Sequence, residues 1–338
     1  MITLLQSGSY KGKNYVVYQM TSGAFQAQVT NIGCAIMQLR VPDRSGVPAD
    51  VVLGYDTVEE YIDQPKYFGA VIGRVGNRIK NSRFSIDGKS YAVTPTHPDG
   101  TSLHGGLYGF DTKAFAHAVG AYQGHEALHF YYTSADGEEG YPGNLTLQVT
   151  YWLTESGDLG LHYTATTDQA TMCNITNHSF FNLLGEGGGS IEGHTLWLDA
   201  GHYTDCDAGL NTTGEIKSVR GTALDFSVPT PIGARIDEDL DILRYGKGYD
   251  LNYVLSVRQP GKIEKIAEVY EPQTGRVMQV LTNTPGVQLY WQQHRRRSRQ
   301  GRQNLPQARR RMSGNAAVPR RYRAYAFPQL YSAAGTGL

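Results

Sequence analysis

Carboxylates are missing from the end of this 338-residue chain: residues 291–338 contain 11 Arg and no Lys, Asp or Glu. Because the whole chain balances 31 basic against 31 acidic residues, residues 1–290 hold 31 − 11 = 20 basic and 31 acidic residues. The formal charge of that body is 20 − 31 = −11, and the tail carries +11. An acidic body repels the phosphates that dominate nucleic-acid affinity, so no nucleic-acid partner is expected in spite of the arginines. Cysteine is scarce as well. Cys34, Cys173 and Cys206 are far apart, with no CxxC and no Cys/His cluster, which excludes a disulfide framework or a zinc-type ligand set. Buried free thiols are the expectation. No apolar run approaches the roughly 20 residues of a membrane span, and the N-terminal apolar stretch is too short for a signal peptide. A soluble protein of a reducing cytoplasm, with no membrane partner, is expected.

Helical periodicity is also rare. Short signals occur only at "TVEEYI" and "DEDLDIL". Strand signals fill the rest. In "LTLQVTYWL", Leu145, Leu147, Val149 and Tyr151 alternate with Thr146, Gln148 and Thr150, the period of a half-buried strand. "TESGD" then supplies a turn and "LGLHYTATT" alternates again, so the pair reads as a hairpin. "FQAQVT", "SYAVT", "LHFYYTS" and "TLWLDA" are similar. The 40 Gly and 23 Tyr suit twisted sheets with many turns. A large antiparallel β-sandwich in one domain is expected over residues 1–290.

Five segments offer chemistry. "NITNHSFFNLLG" sets His178 among Asn174, Asn177, Ser179 and Asn182, interleaved with Phe180 and Phe181. It reads as an aromatic-lined, polar-edged strand suited to hydroxyls and to proton transfer; an isolated strand histidine is more often structural. "TSLHGGLYGFD" places His104 before two glycines that permit close backbone approach, although a loop histidine is usually just solvated. "IGRVGNRIKNSRF" carries Asn77 and Arg78, the latter able to hold an oxygen or to form a surface ion pair; the segment lacks the Lys-Ser/Thr ending of a phosphate loop. "GKGYDLNYVL" offers Asp250, which could equally be a turn former. "TPGVQLY" offers Gln288.

In order along the chain, "GRVGNRI", "LHGG", "DGEEGYPGNL", "TNHSFFNL", "GYDLNYVL" and "PGVQLY" resemble the aldose 1-epimerase (galactose mutarotase) family over about residues 1–290. Leu251 departs from the family, which often has His there. The resemblance implies a large antiparallel β-sandwich that interconverts the α and β anomers of a free aldose, without metal or cofactor. It implies His178 as general acid, His104 as the second site histidine, Asn77 and Arg78 as a hydroxyl-binding pair, and Asp250 and Gln288 as further sugar contacts. The alternative is a relative that binds sugar without catalysis, because the family's general base is a glutamate near the C-terminus.

That glutamate has no counterpart after residue 290. Codons permitted for Met312 to Ala317, read one base later, allow Cys-Leu-Glu-Thr-Gln, and continuing through Tyr322 allows Gln-Phe-Pro-Asp-Ala-Ile, a family-like base segment. Codons for "YWQQH" shifted likewise allow Thr-Gly-Asn-Asn, where the family continues Thr-Gly-Asn. Residues 291–338 therefore read as an out-of-frame translation of the family's C-terminus, and not as a nucleic-acid-binding arm. A natural basic tail on a diverged relative is the competing explanation.

Overall fold

The computed structural model describes residues 1–256, 259 and 261–292; the arginine-rich tail lies outside them. The described residues form antiparallel sheets with little helix. The N-terminal strands Ile2–Tyr10, Lys13–Ser22, Phe25–Thr30, Ile36–Pro42 and Pro48–Asp50 make a five-stranded meander. Its second strand carries the continuous run Tyr15, Val16, Val17, Tyr18, and the sheet is covered on both faces. Val16, Tyr18 and Met20 face Phe130, Leu145, Leu147 and Val149 of a four-stranded sheet. Tyr15 and Val17 pack instead with Val58 and Tyr61 of helix Val58–Asp63.

The second half repeats the layering. Leu196, Leu198 and Val269 of one four-stranded sheet pack on Tyr203, Tyr249, Leu251, Tyr253, Val287 and Leu289 of another. The fold is thus an all-β antiparallel sandwich built around these cores.

The predicted hairpin is present: strand Leu145–Leu153 pairs with Leu159–Thr167, with Leu153 opposite Leu159. "TVEEYI" forms the helix Val58–Asp63, closed by a capping box in which Thr57 and Glu60 bond each other's backbone N–H. "DEDLDIL" is different: its helix is Asp241–Gly246, because no side chain caps the start and only its end turns. The thiols also differ from expectation. Cys34 is buried, but Cys173 and Cys206 are only partly covered. The last strand runs from Gly286 to Gln292, past Tyr290, because Trp291 continues the buried alternation of Val287 and Leu289.

Candidate active site

Two strands build one wall. Gly248–Leu255 pairs with Gly286–Gln292, with Asn252 opposite Gln288 and Asp250 opposite Tyr290. Tyr249, Leu251 and Tyr253 enter the core, so the period of two turns Asp250 and Asn252 to the other face. Gln288 is the diagonal neighbour of Asp250 on that face, and its Nε2 donates to Asp250 Oδ1 at 2.7 Å. Asp250 is therefore a strand residue and not a turn former. Leu251, the departure from the family, lies in the core.

A second pair of strands delivers Asn77, Arg78 and His104. Arg78–Ile79 pairs with Ser102–Leu103, with Arg78 opposite Leu103. Asn77 and His104 flank this pairing and lock together: His104 N–H donates to Asn77 O at 3.1 Å, and Asn77 N–H donates to His104 Nδ1 at 3.0 Å. Asn77 Oδ1 accepts from Arg78 N–H at 2.9 Å, while Asn77 Nδ2 donates to Gln288 Oε1 at 3.2 Å. Arg78 reaches Asp250 Oδ2 at 3.7 Å. Asn77, Gln288, Asp250 and Arg78 thus close a ring of polar contacts between distant parts of the chain.

His178 arrives differently from the expected strand. Only Thr176–Asn177 is strand, paired with Val71–Ile72. The regular strand ends there, and Asn177 Oδ1 accepts from Ser179 N–H and Oγ at 3.0 and 2.6 Å, forming a turn. His178 N–H then donates to Ala70 O at 2.8 Å, and His178 O accepts from Gly69 N–H at 3.1 Å. Gly69 has φ +63, and a Cβ there would meet Ile36 O at 2.2 Å, so glycine is required for this approach. The His104 and His178 ring centroids are 5.1 Å apart.

The structure therefore brings Asn77, Arg78, His104, His178, Asp250 and Gln288 together. Sequence reasoning did not single out Tyr67. Its ring centroid lies 4.8 Å from His104 and 5.3 Å from His178, completing a triangle. Tyr67 sits in a loop without periodicity, so only its aromatic character could have flagged it. Phe180 packs on His178 at 5.0 Å and Tyr290 on Phe180 at 6.0 Å.

Burial decides the electrostatics. It pushes the His178 imidazole down to about 3. His104 is also held well below the usual histidine value, by burial first and then by His178, Arg78 and His97. Asp250 is raised by burial, against the lowering effects of Arg78 and Gln288. Both imidazoles are thus neutral at pH 7. His104 accepts at Nδ1, so its proton sits on Nε2 and that nitrogen is a donor. Among the described residues no group of His, Cys, Asp and Glu is arranged to hold a metal ion.

Fold and side-chain cluster together define an antiparallel β-sandwich protein whose polar, histidine-bearing cluster is suited to hydroxyls and proton transfer. The family model for aldose 1-epimerase matches residues 16–315. The galactose mutarotase of Pongo abelii is 40% identical over 275 residues, 81% of this chain and 76% of that protein. The aldose 1-epimerase of Escherichia coli strain K12 is 34% identical over 258 residues, 76% of this chain and 72% of its own. A GalM/aldose epimerase homologue from C. elegans superposes with a TM-score of 0.71 at 26% identity, covering 84% of this chain and 82% of the other. The chain belongs to the aldose 1-epimerase family.

Proposed function

We propose that this protein interconverts the α and β anomers of free aldohexoses such as galactose and glucose. The observation that carries the reading is the closed polar ring of Asn77, Arg78, Asp250 and Gln288 set beside two imidazoles 5.1 Å apart. The ring supplies donors and acceptors for several hydroxyls at fixed positions. A base removes the proton of the C1 hydroxyl, the bond between C1 and the ring oxygen breaks, and an acid protonates that oxygen. Rotation about C1–C2 and the reverse steps give the other anomer. Proton transfers alone accomplish this.

His178 is the proposed acid. His104, donating from Nε2, orients the sugar together with Asn77, Arg78, Asp250 and Gln288. A neutral His178 needs an anionic partner to take up its proton, which is the place of the glutamate that residues 291–338 lack. The three free thiols and the absence of disulfides among the described residues support a cytoplasmic setting.

Polarimetry of freshly dissolved α-D-galactose tests the assignment. This chain is expected to bind galactose but to accelerate mutarotation poorly, since a missing acid–base group typically costs roughly 10²–10⁴-fold. A family-typical rate would show that a base other than the tail glutamate operates. Binding without any acceleration is the outcome for the impaired relative. Absence of both would remove the sugar-site assignment.

A further inference from the structure

The segment "DGEEGYPGNL" has no role in the proposed chemistry, yet it touches the site's framework. It is a loop closed on itself: Gly143 N–H donates to Asp136 Oδ1 at 2.6 Å and Asp136 N–H to Asn144 Oδ1 at 3.0 Å. Arg74, 2% exposed, fills its centre and donates to the carbonyls of Ser134, Ala135, Pro142 and Gly143 at 2.8–2.9 Å. Two carboxylates leave this anchored loop. Glu138 accepts from Lys113 Nζ at 2.5 Å, from Tyr132 Oη at 2.6 Å and from Ser134 Oγ. Glu139 points to the other side. Its Oε2 accepts from Leu107 N–H at 2.9 Å and its Oε1 from Tyr108 N–H at 3.3 Å.

Those two amides lie in the loop that begins at His104. The loop is confined on both sides. A Cβ on Gly105 would meet Gly73 O at 1.9 Å, and one on Gly106 would meet Glu139 Oε2 at 2.1 Å. Only glycine at 106 lets the carboxylate close on the backbone. His104 itself has φ +56 and Glu139 φ +50, conformations that L residues keep only where the surroundings hold them. A carboxylate gripping two successive N–H groups supplies charge-assisted bonds of that kind.

We infer that Glu139 is a positioning residue: its two-oxygen grip on the Leu107 and Tyr108 amides sets where the His104 imidazole stands in the sugar site. The inference rests on the sugar-site assignment for its functional meaning. Its geometric content is independent of that assignment.

The test uses the full chain labelled with ¹⁵N-histidine. Glu139→Ala is expected to speed hydrogen exchange at the Leu107 and Tyr108 amides and to shift the His104 ring signals, leaving those of His194 in place. It should weaken galactose binding roughly tenfold, the scale of losing hydrogen bonds to a charged acceptor. Glu139→Gln keeps one acceptor oxygen and should restore part of the affinity. Gly106→Ala, which drives the carboxylate away, should reproduce the His104 shift. Unmoved His104 signals and unchanged affinity in Glu139→Ala would overturn the inference. If Glu139→Ala fails to fold, Glu139→Gln decides: a His104 shift at unchanged melting temperature supports the role, and wild-type signals sink it. If the unmodified chain itself does not bind galactose, the sugar assignment falls, and the ring signals alone judge the positioning role.

Discussion

His104 cannot take a second proton without a conflict, because its Nδ1 already accepts from the Asn77 N–H. That single bond sets the tautomer and makes the ring a donor at Nε2. His178 is neutral through burial beside Tyr67 and Phe180, and burial is also the largest cause of the lowered His104 value. Both histidines keep their protons off in the native state and bind them when unfolded. For His178 the stabilising contribution is present above about pH 6.5 and is lost as pH falls toward 3, and His104 acts in the same direction. Asp111 works in the opposite direction. Burial pushes its carboxyl up to about 7, against its own backbone N–H, Lys13 and Lys113. It binds a proton in the native state between about pH 7 and 3.8 and so favours the fold as pH drops through that window. Asp111→Asn removes this offset. Acid titration of stability should then fall more steeply for the variant than for the parent, by about 1.4 kcal/mol per pH unit within that window. Parallel curves by chemical denaturation would contradict the burial assignment of Asp111.

At the scale of elements, alternation explains what each strand contributes. Gly248–Leu255 and Gly286–Gln292 send one set of side chains to the core and Asp250, Asn252 and Gln288 to the opposite face, so a single strand pairing supplies both. The short helix Val58–Asp63 depends on local chemistry instead. Its first turn is closed by the Thr57–Glu60 box, and its Val58 and Tyr61 cover the outer face of the N-terminal sheet. Thr57→Ala should cost about 1 kcal/mol of stability, read as a lower denaturation midpoint at unchanged slope. A variant with the parent's midpoint would mean that packing of Val58 and Tyr61 holds the helix without the cap. Element boundaries were legible where alternation is strong, as in Leu145–Leu153. They were not legible around His178, where the regular strand is two residues long and the Asn177 side chain takes the Ser179 N–H.

Across the whole molecule, the acidic body and the arginine-rich tail carry opposite formal charges of equal size, −11 and +11. We propose that residues 291–338 are an out-of-frame reading of the family's last strands. Resequencing should then show one surplus base, or two lost bases, near codons 290–291. The restored reading should contain Thr-Gly-Asn soon after Tyr290 and Leu-Glu-Thr-Gln further on, with the Glu codon straddling those of Gly314 and Asn315. The restored protein should regain mutarotation, because its carboxylate would face the neutral His178 and favour the protonated imidazole. A genomic read confirming the arginine-rich frame, with Gly314 and Asn315 codons unable to yield Glu, would end the proposal.

Sequence alone determined the all-β class, the main hairpin, the short helix at "TVEEYI" and the residue types of the site. Each of these is encoded locally, in a period of two, a turn or a cap, or in short motifs carrying one or two polar groups. The tertiary structure decided what those motifs do jointly. Asn77 meets Gln288 across 211 positions of chain, and Tyr67 closes a triangle with two histidines that lie far from it in sequence. It also decided the protonation of both imidazoles, since desolvation depends on everything packed around a ring and not on its neighbours in the chain.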